Sequence, residues 1–230
     1  MNGNVSAAGV TIYTKNGKTI VRSARSKQPV RRTRAQFDVR MRVRHTIVLW
    51  REMKPAEPMF FGGKSTFGRF CSLANRLPVV YIPAKGDLDG ASLLLPGMPL
   101  SDGTLEPLNE WLGEVNGTPA LLTDLKKSSL TRDDELRLYT VHQAIENGKP
   151  MVRVTVEHLN RNAFTEVDGC LALVDARFAD DMTGWAVVRT NSDRCSSQTA
   201  VTRCTYYEQF TTEAAMQAAA DSYGGLVDGK

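Results

Sequence analysis

The chain has 230 residues, of which 42% are hydrophobic and 23% charged, and it carries a formal net charge of +4. This fits a folded globular protein with one large domain or two small ones. No apolar run approaches the roughly 18–20 residues of a membrane span, and the opening MNGNVSAAGV has no charged region ahead of an apolar stretch. Neither membrane insertion nor a classical signal peptide is therefore expected.

The modest net charge hides a division. Residues 1–55 hold 13 Lys/Arg against two acids, Asp38 and Glu52, a net +11. Residues 56–230 hold 16 Lys/Arg against 23 Asp/Glu, a net −7. Such asymmetry points to an anionic or acidic partner for the basic arm, and the body of another copy qualifies.

In chain order, residues 9–24 read as a β-hairpin. Val10, Ile12 and Tyr13 lead into Lys15-Asn16-Gly17-Lys18, and Thr19-Ile20-Val21 follow. Asn-Gly between β-prone runs signals a tight turn, because both residues tolerate positive φ. Residues 31–54 allow two readings. Phe37, Val39, Met41 and Val43 alternate with Asp38, Arg40, Arg42 and Arg44, which is strand period. A helix is favoured, because strands rarely exceed 20 residues and Thr33 can cap it. On a helical wheel Val39, Val43, Ile47 and Trp50 fall on one side and Phe37, Met41 and Val48 roughly opposite, with arginines between. A helix apolar on two faces wants two packing surfaces.

Pro55 and Pro58 end that element. Residues 64–76 read as a short helix, Val79–Ile82 as a strand, and Ser92–Leu95 as an apolar run. Residues 96–120 are rich in Gly and Pro, with short elements near Leu108–Leu112 and Ala120–Leu122. Leu136–Ile145 and Met151–His158 flank Asn147-Gly148, a second hairpin signal. Cys170–Asp175, Trp185–Arg189 and Thr199–Tyr207 add three strands. This spacing suggests a small antiparallel sandwich. Thr212 caps a helix running to about Ser222, and Gly224-Gly225 stops it.

Catalytic signatures are weak. Gly62-Gly63-Lys64-Ser65 resembles the end of a P-loop, but Pro58 stands where that motif needs glycine. Asp133-Asp134-Glu135 and Asp180-Asp181 read as solvated turns rather than hydrolase carboxylates. His142 and His158 lack a nucleophile partner of any signature, and no triad is supported. The three histidines, including His45, are scattered, and Cys71, Cys170, Cys195 and Cys204 form no CxxC, so no metal or other cofactor is expected. The cysteines fit a reducing setting; Cys195 and Cys204 could still face each other across a turn.

The run Gly17-Lys-Thr-Ile-Val-Arg22, then Arg32-Thr33-Arg34-Ala35-Gln36, Arg40 and Trp50, resembles the opening of an uncharacterised family of gut-bacterial and prophage proteins. Gly184-Trp185-Ala-Val-Val-Arg189 and Asp193-Arg-Cys-Ser-Ser197 resemble that family's last immunoglobulin-like hairpin. The likeness covers about half the chain, in two patches. It implies a basic N-terminal element, a β-sandwich and a phage-related context, and it brings no activity with it.

The expectation is an α+β protein. A basic hairpin-helix arm (1–55) is followed by a mixed middle segment (56–130), an antiparallel immunoglobulin-like sandwich (131–210), and a C-terminal helix and tail (211–230). The expected function is a non-enzymatic structural or assembly role in a homo-oligomer or larger particle, cytoplasmic or in a virion. Arg31, Arg32, Arg34, Arg40, Arg42, Arg44 and Arg51 would meet an anionic partner, and Phe37, Val43, Ile47 and Trp50 would pack at the interface. The alternative is nucleic-acid binding, with the same arginines on phosphates.

Overall fold

Asn-Gly pairs mark where the chain turns back, and the strand pairing follows them. A computed structural model describes residues 5–7, 10–15, 18–23, 33–53, 66–84, 94–146 and 149–227. These residues contain three α-helices and antiparallel sheets, an α+β arrangement. β1 (Val5–Ala7), β2 (Val10–Lys15) and β3 (Lys18–Ser23) form a three-stranded sheet in which Lys15 faces Lys18. Asn16 and Gly17 between them lie outside the described residues, as do Gly62–Ser65 and the second turn pair, Asn147 and Gly148.

The ambiguous arginine-rich stretch is a helix, α1 (Arg34–Met53). α2 (Thr66–Ala74) follows. Val79–Ile82 is not a strand. Tyr81 donates its N–H to the Phe210 carbonyl at 2.9 Å, and Val80, Tyr81 and Ile82 are buried as an extended segment.

β4 (Glu110–Val115) and β5 (Thr118–Lys126) form a hairpin over Asn116-Gly117, whose φ values are 51° and 78°. β6 (Asp134–Glu146) pairs with β7 (Lys149–Leu159). β8 (Phe164–Val167) pairs with β9 (Cys170–Val174) over Asp168-Gly169, again both at positive φ. β10 (Thr183–Asn191) carries two short partners, β11 (Arg194–Cys195) and β12 (Val201–Thr202). Past Thr202 the expected strand gives way to a 3-10 turn at Tyr206–Phe210.

One sheet has the order β4-β5-β9-β8; the other has β11-β10-β6-β7, with β12 also on β10. β4 and β5 therefore belong with β8 and β9, although a boundary at residue 130 would separate them. The second sheet is the middle layer. Successive side chains of a strand point to opposite faces. Leu136 and Leu138 of β6 and Trp185 and Val187 of β10 meet Leu121, Leu125, Leu171 and Leu173 of the other sheet. Phe178 closes this core edge-on to Trp185, with ring centroids 5.3 Å apart. Tyr139, Val141, Ala186 and Val188 enter a second core with side chains of α1, α2 and α3 (Glu213–Ser222).

α3 begins as its sequence suggests. Thr212 accepts a hydrogen bond from the Ala215 N–H at 3.1 Å, and Gly224 and Gly225 end the helix at φ 89° and 82°. Thr212→Ala is expected to lower the unfolding free energy by about 1 kcal/mol, read from the urea midpoint at unchanged slope.

Candidate functional site

α1 contains neither Gly nor Pro, and the Thr33 hydroxyl accepts from the Gln36 N–H at 3.4 Å at its start. Helical spacing then sorts its side chains into an inner and an outer face.

The inner face belongs to the protein's own core. Phe37, Met41, Val48 and Leu49 are buried there with His45 and Thr46. Phe37 stacks on Tyr81 at 6.2 Å and meets Tyr223 edge-on at 5.7 Å. The Tyr81 hydroxyl donates to Asp38 at 3.0 Å; burial, then the Asp38 carboxylate, raises the Tyr81 pKa. Trp50 leans on Phe67 and Phe70, at 5.7 and 5.2 Å.

Three of the expected partner-binding arginines are engaged within the chain. Arg34 makes a two-pronged pair with Glu213 of α3, both bonds 2.6 Å. Arg42 donates to the Asn75 carbonyl at 2.9 Å and also to that of Leu77, meeting carbonyls that the end of α2 leaves without helical partners. Arg44 donates to the Tyr223 hydroxyl and lies over that ring. Arg31 and Arg32 lie outside the described residues. Arg40 and Arg51 are exposed, and no hydrogen bond or ion pair reaches them among the described residues.

The outer face is apolar where solvent would favour polar side chains. Val39 is 60% exposed and Val43 47%. Together with Ile47, Val48 and the flanking Arg40, Arg44 and Arg51 they line an open surface depression of about 460 Å³. Of the four expected packing residues, Val43 and Ile47 line this depression. Phe37 faces the core, and Trp50 packs on α2. Side-chain spacing set Val39, Val43 and Ile47 apart from Phe37 and Met41 but misplaced Trp50. It could not identify Tyr223 and Glu213 as anchors, because they lie 179 positions away from the arginines they hold.

The other candidates resolve as structure. Asp134 is buried and accepts from Arg189 at 2.7 Å, so it is not a solvated turn residue. At His142, Nδ1 lies 2.6 Å from the Thr183 hydroxyl and 3.3 Å from Asp180. Hydroxyl and carboxylate thus share one ring nitrogen, whereas a triad needs one on each. No disulfide joins Cys71, Cys170, Cys195 or Cys204. Among the described residues no cluster could hold a metal ion, and no helix is long and apolar enough to cross a membrane. Comparisons with protein-family models, with curated proteins and with solved structures returned no match.

Proposed function

We propose that the protein is a non-enzymatic structural or assembly protein that binds a second copy of itself through the outer face of α1, in the cytoplasm or in a phage-like particle. The carrying observation is the apolar stripe of Val39, Val43 and Ile47 on the outer face of α1, flanked by Arg40, Arg44 and Arg51. An apolar stripe beyond the one already buried calls for a second packing surface. The flanking guanidiniums call for carboxylates. The body supplies them: residues 56–230 carry a net −7 against the arm's +11.

The body itself is read as an immunoglobulin-like sandwich. Its support is connectivity. The orders β4-β5-β9-β8 and β7-β6-β10-β11 follow the A-B-E-D and C′-C-F-G orders of that fold. This likeness brings no activity with it.

The test is solution mass by light scattering at micromolar concentration and low salt. Wild type is expected above the 25.4 kDa of one chain, and Val43→Glu is expected to return it to that mass with its circular dichroism unchanged. A wild-type monomer overturns the reading. So does a Val43→Glu variant that melts earlier as a monomer, which would mean the chain covers this face itself. Salt-sensitive retention by DNA that Arg40→Glu and Arg51→Glu abolish would favour the phosphate-binding alternative.

A further inference from the structure

β7 is the outer strand of the five-stranded sheet, and the direction of its outer edge can be read from one hydrogen bond. In an antiparallel ladder the N–H and C=O of one residue point to one side, and those of the next residue to the other. Gln143 of β6 donates its N–H to the Met182 carbonyl, on the β10 side, at 2.8 Å. Odd-numbered residues of β6 therefore face β10 and even-numbered ones face β7. His142 pairs with Arg153 and Thr140 with Thr155, so the odd-numbered residues of β7 bond to β6. The backbone groups of Val152, Val154 and Val156 point out of the sheet. Among the described residues no hydrogen bond reaches these three.

Exposed edges are usually blunted by bulges, short length or proline. β7 is 11 residues long, its ladder with β6 runs without a register shift, and its only proline is Pro150, next to its start. α1 packs against β7. Val152, Val154 and Val156 lie on the sheet face that α1 covers, packed into the same core.

We propose that two copies pair antiparallel through β7 about a twofold axis at Thr155, joining their two five-stranded sheets into one. This inference rests on the self-association proposed above and adds a second contact between the same two copies, too weak to hold them together once Val43→Glu has broken the first. The sequence is self-complementary in that register. Thr155 meets Thr155 of the second copy. Val154 meets Val156, extending the core beneath α1. Arg153 meets Glu157 twice by symmetry, on the opposite face, where all of Arg153, Thr155 and Glu157 are exposed and where Glu157 also accepts from Arg177 of its own chain at 2.9 Å. Aligned β-branched pairs and opposite charges are the cross-strand pairs that stabilise sheets. Sliding the pairing by two residues, to centre on Val154 or Val156, sets Arg153 against Thr155 or Leu159 and loses both ion pairs. A twofold axis needs this kind of self-complementary patch.

Cross-linking tests the register. Thr155→Cys should form a disulfide-linked dimer under mild oxidation, well above the background of the wild-type cysteines. Directly opposed residues in a non-hydrogen-bonded pair lie about 4.5 Å apart at Cα. Glu157→Cys should not, because the two copies of residue 157 would be roughly 14 Å apart, beyond disulfide reach. Thr155→Lys, which opposes two ammonium groups at the axis, should raise the dimer dissociation constant at least tenfold. If Thr155→Cys stays at background, or Thr155→Lys associates like wild type, while Val43→Glu still dissociates the assembly, β7 pairing is overturned and the α1 interface stands. A wild-type monomer removes both.

Discussion

Asp134→Ala is expected to cost about 3–5 kcal/mol of stability, the range for removing one partner of a buried ion pair. Asp134 closes a network. One carboxylate oxygen accepts from Arg189 at 2.7 Å, from the Thr131 N–H at 2.7 Å and from the Thr131 hydroxyl at 3.0 Å. The other accepts from Asn191 at 3.0 Å. The Asp134 side chain is 1% exposed and that of Arg189 17%, so the alanine variant leaves a guanidinium in the interior without its counter-charge. Burial alone would raise the Asp134 pKa; the hydrogen bonds from Arg189, Asn191 and Thr131 overcome it and hold the carboxyl far below its ordinary 3.8. A depressed carboxylate stabilises the fold above its unfolded pKa, and that stability is lost as pH falls through the folded value. In urea titrations, wild type should therefore lose stability below pH 4, and Asp134→Ala should lose less of what remains. A variant within 1 kcal/mol of wild type at pH 7 would show that the network is not holding the two strands together.

Glu110 carries the opposite sign. Its carboxylate reaches from β4 to β10, accepting from the Val187 N–H at 2.6 Å and from the Gln198 amide at 2.8 Å. Val187 faces Leu138 of β6, and its N–H points to the other side of β10, into the gap between β12 and β11. Glu110 fills that gap. Gln198 is clamped in turn by the N–H and C=O of Leu108, at 2.7 and 3.0 Å. Burial pushes the Glu110 pKa from 4.5 up to about 8, against the two hydrogen bonds it accepts and with the help of nearby Asp124. The folded state then holds a proton that the unfolded chain releases. Stability should fall as pH rises from about 4.5 to about 8, by on the order of 4 kcal/mol at 1.36 kcal/mol per unit. Glu110→Gln should flatten this slope, whatever its own stability at pH 5. A wild-type slope that survives in Glu110→Gln would assign the dependence to another group.

These two carboxylates show where sequence reasoning stops. Hairpins were readable at Lys15–Lys18 and Glu146–Lys149, because Asn-Gly sits between long β-prone runs. The same dipeptide at Asn116-Gly117 carried the signal for β4 and β5, but it is set in a stretch crowded with Gly and Pro. β8 is four residues long and polar at Thr165 and Glu166, too short for a period to emerge. The helical wheel of α1 set Val39, Val43 and Ile47 apart from Phe37 and Met41 but placed Trp50 with the outer residues, whereas it packs on Phe67 and Phe70 of α2. It could not say which arginines turn inward, since Arg34 and Arg44 are claimed by residues near the far end of the chain. Asp134 looks like any surface acid in a polar turn, and Glu110 like an outward-facing acid of the short element near Leu108–Leu112. Their burial depends on Val187, Gln198, Arg189 and Asn191, all more than 50 positions distant, and no local pattern encodes such partners.

The distance between α1 and its anchors has a consequence for how the chain is made. Arg34 and Arg44 leave the ribosome 179 residues before Glu213 and Tyr223. At roughly 5–20 residues per second, α1 waits on the order of 10–35 s for these two anchors. α2 and β7, which also pack on α1, are made earlier in that interval. The inner face of α1 is therefore covered in stages, by α2 and β7 first and by α3 afterwards.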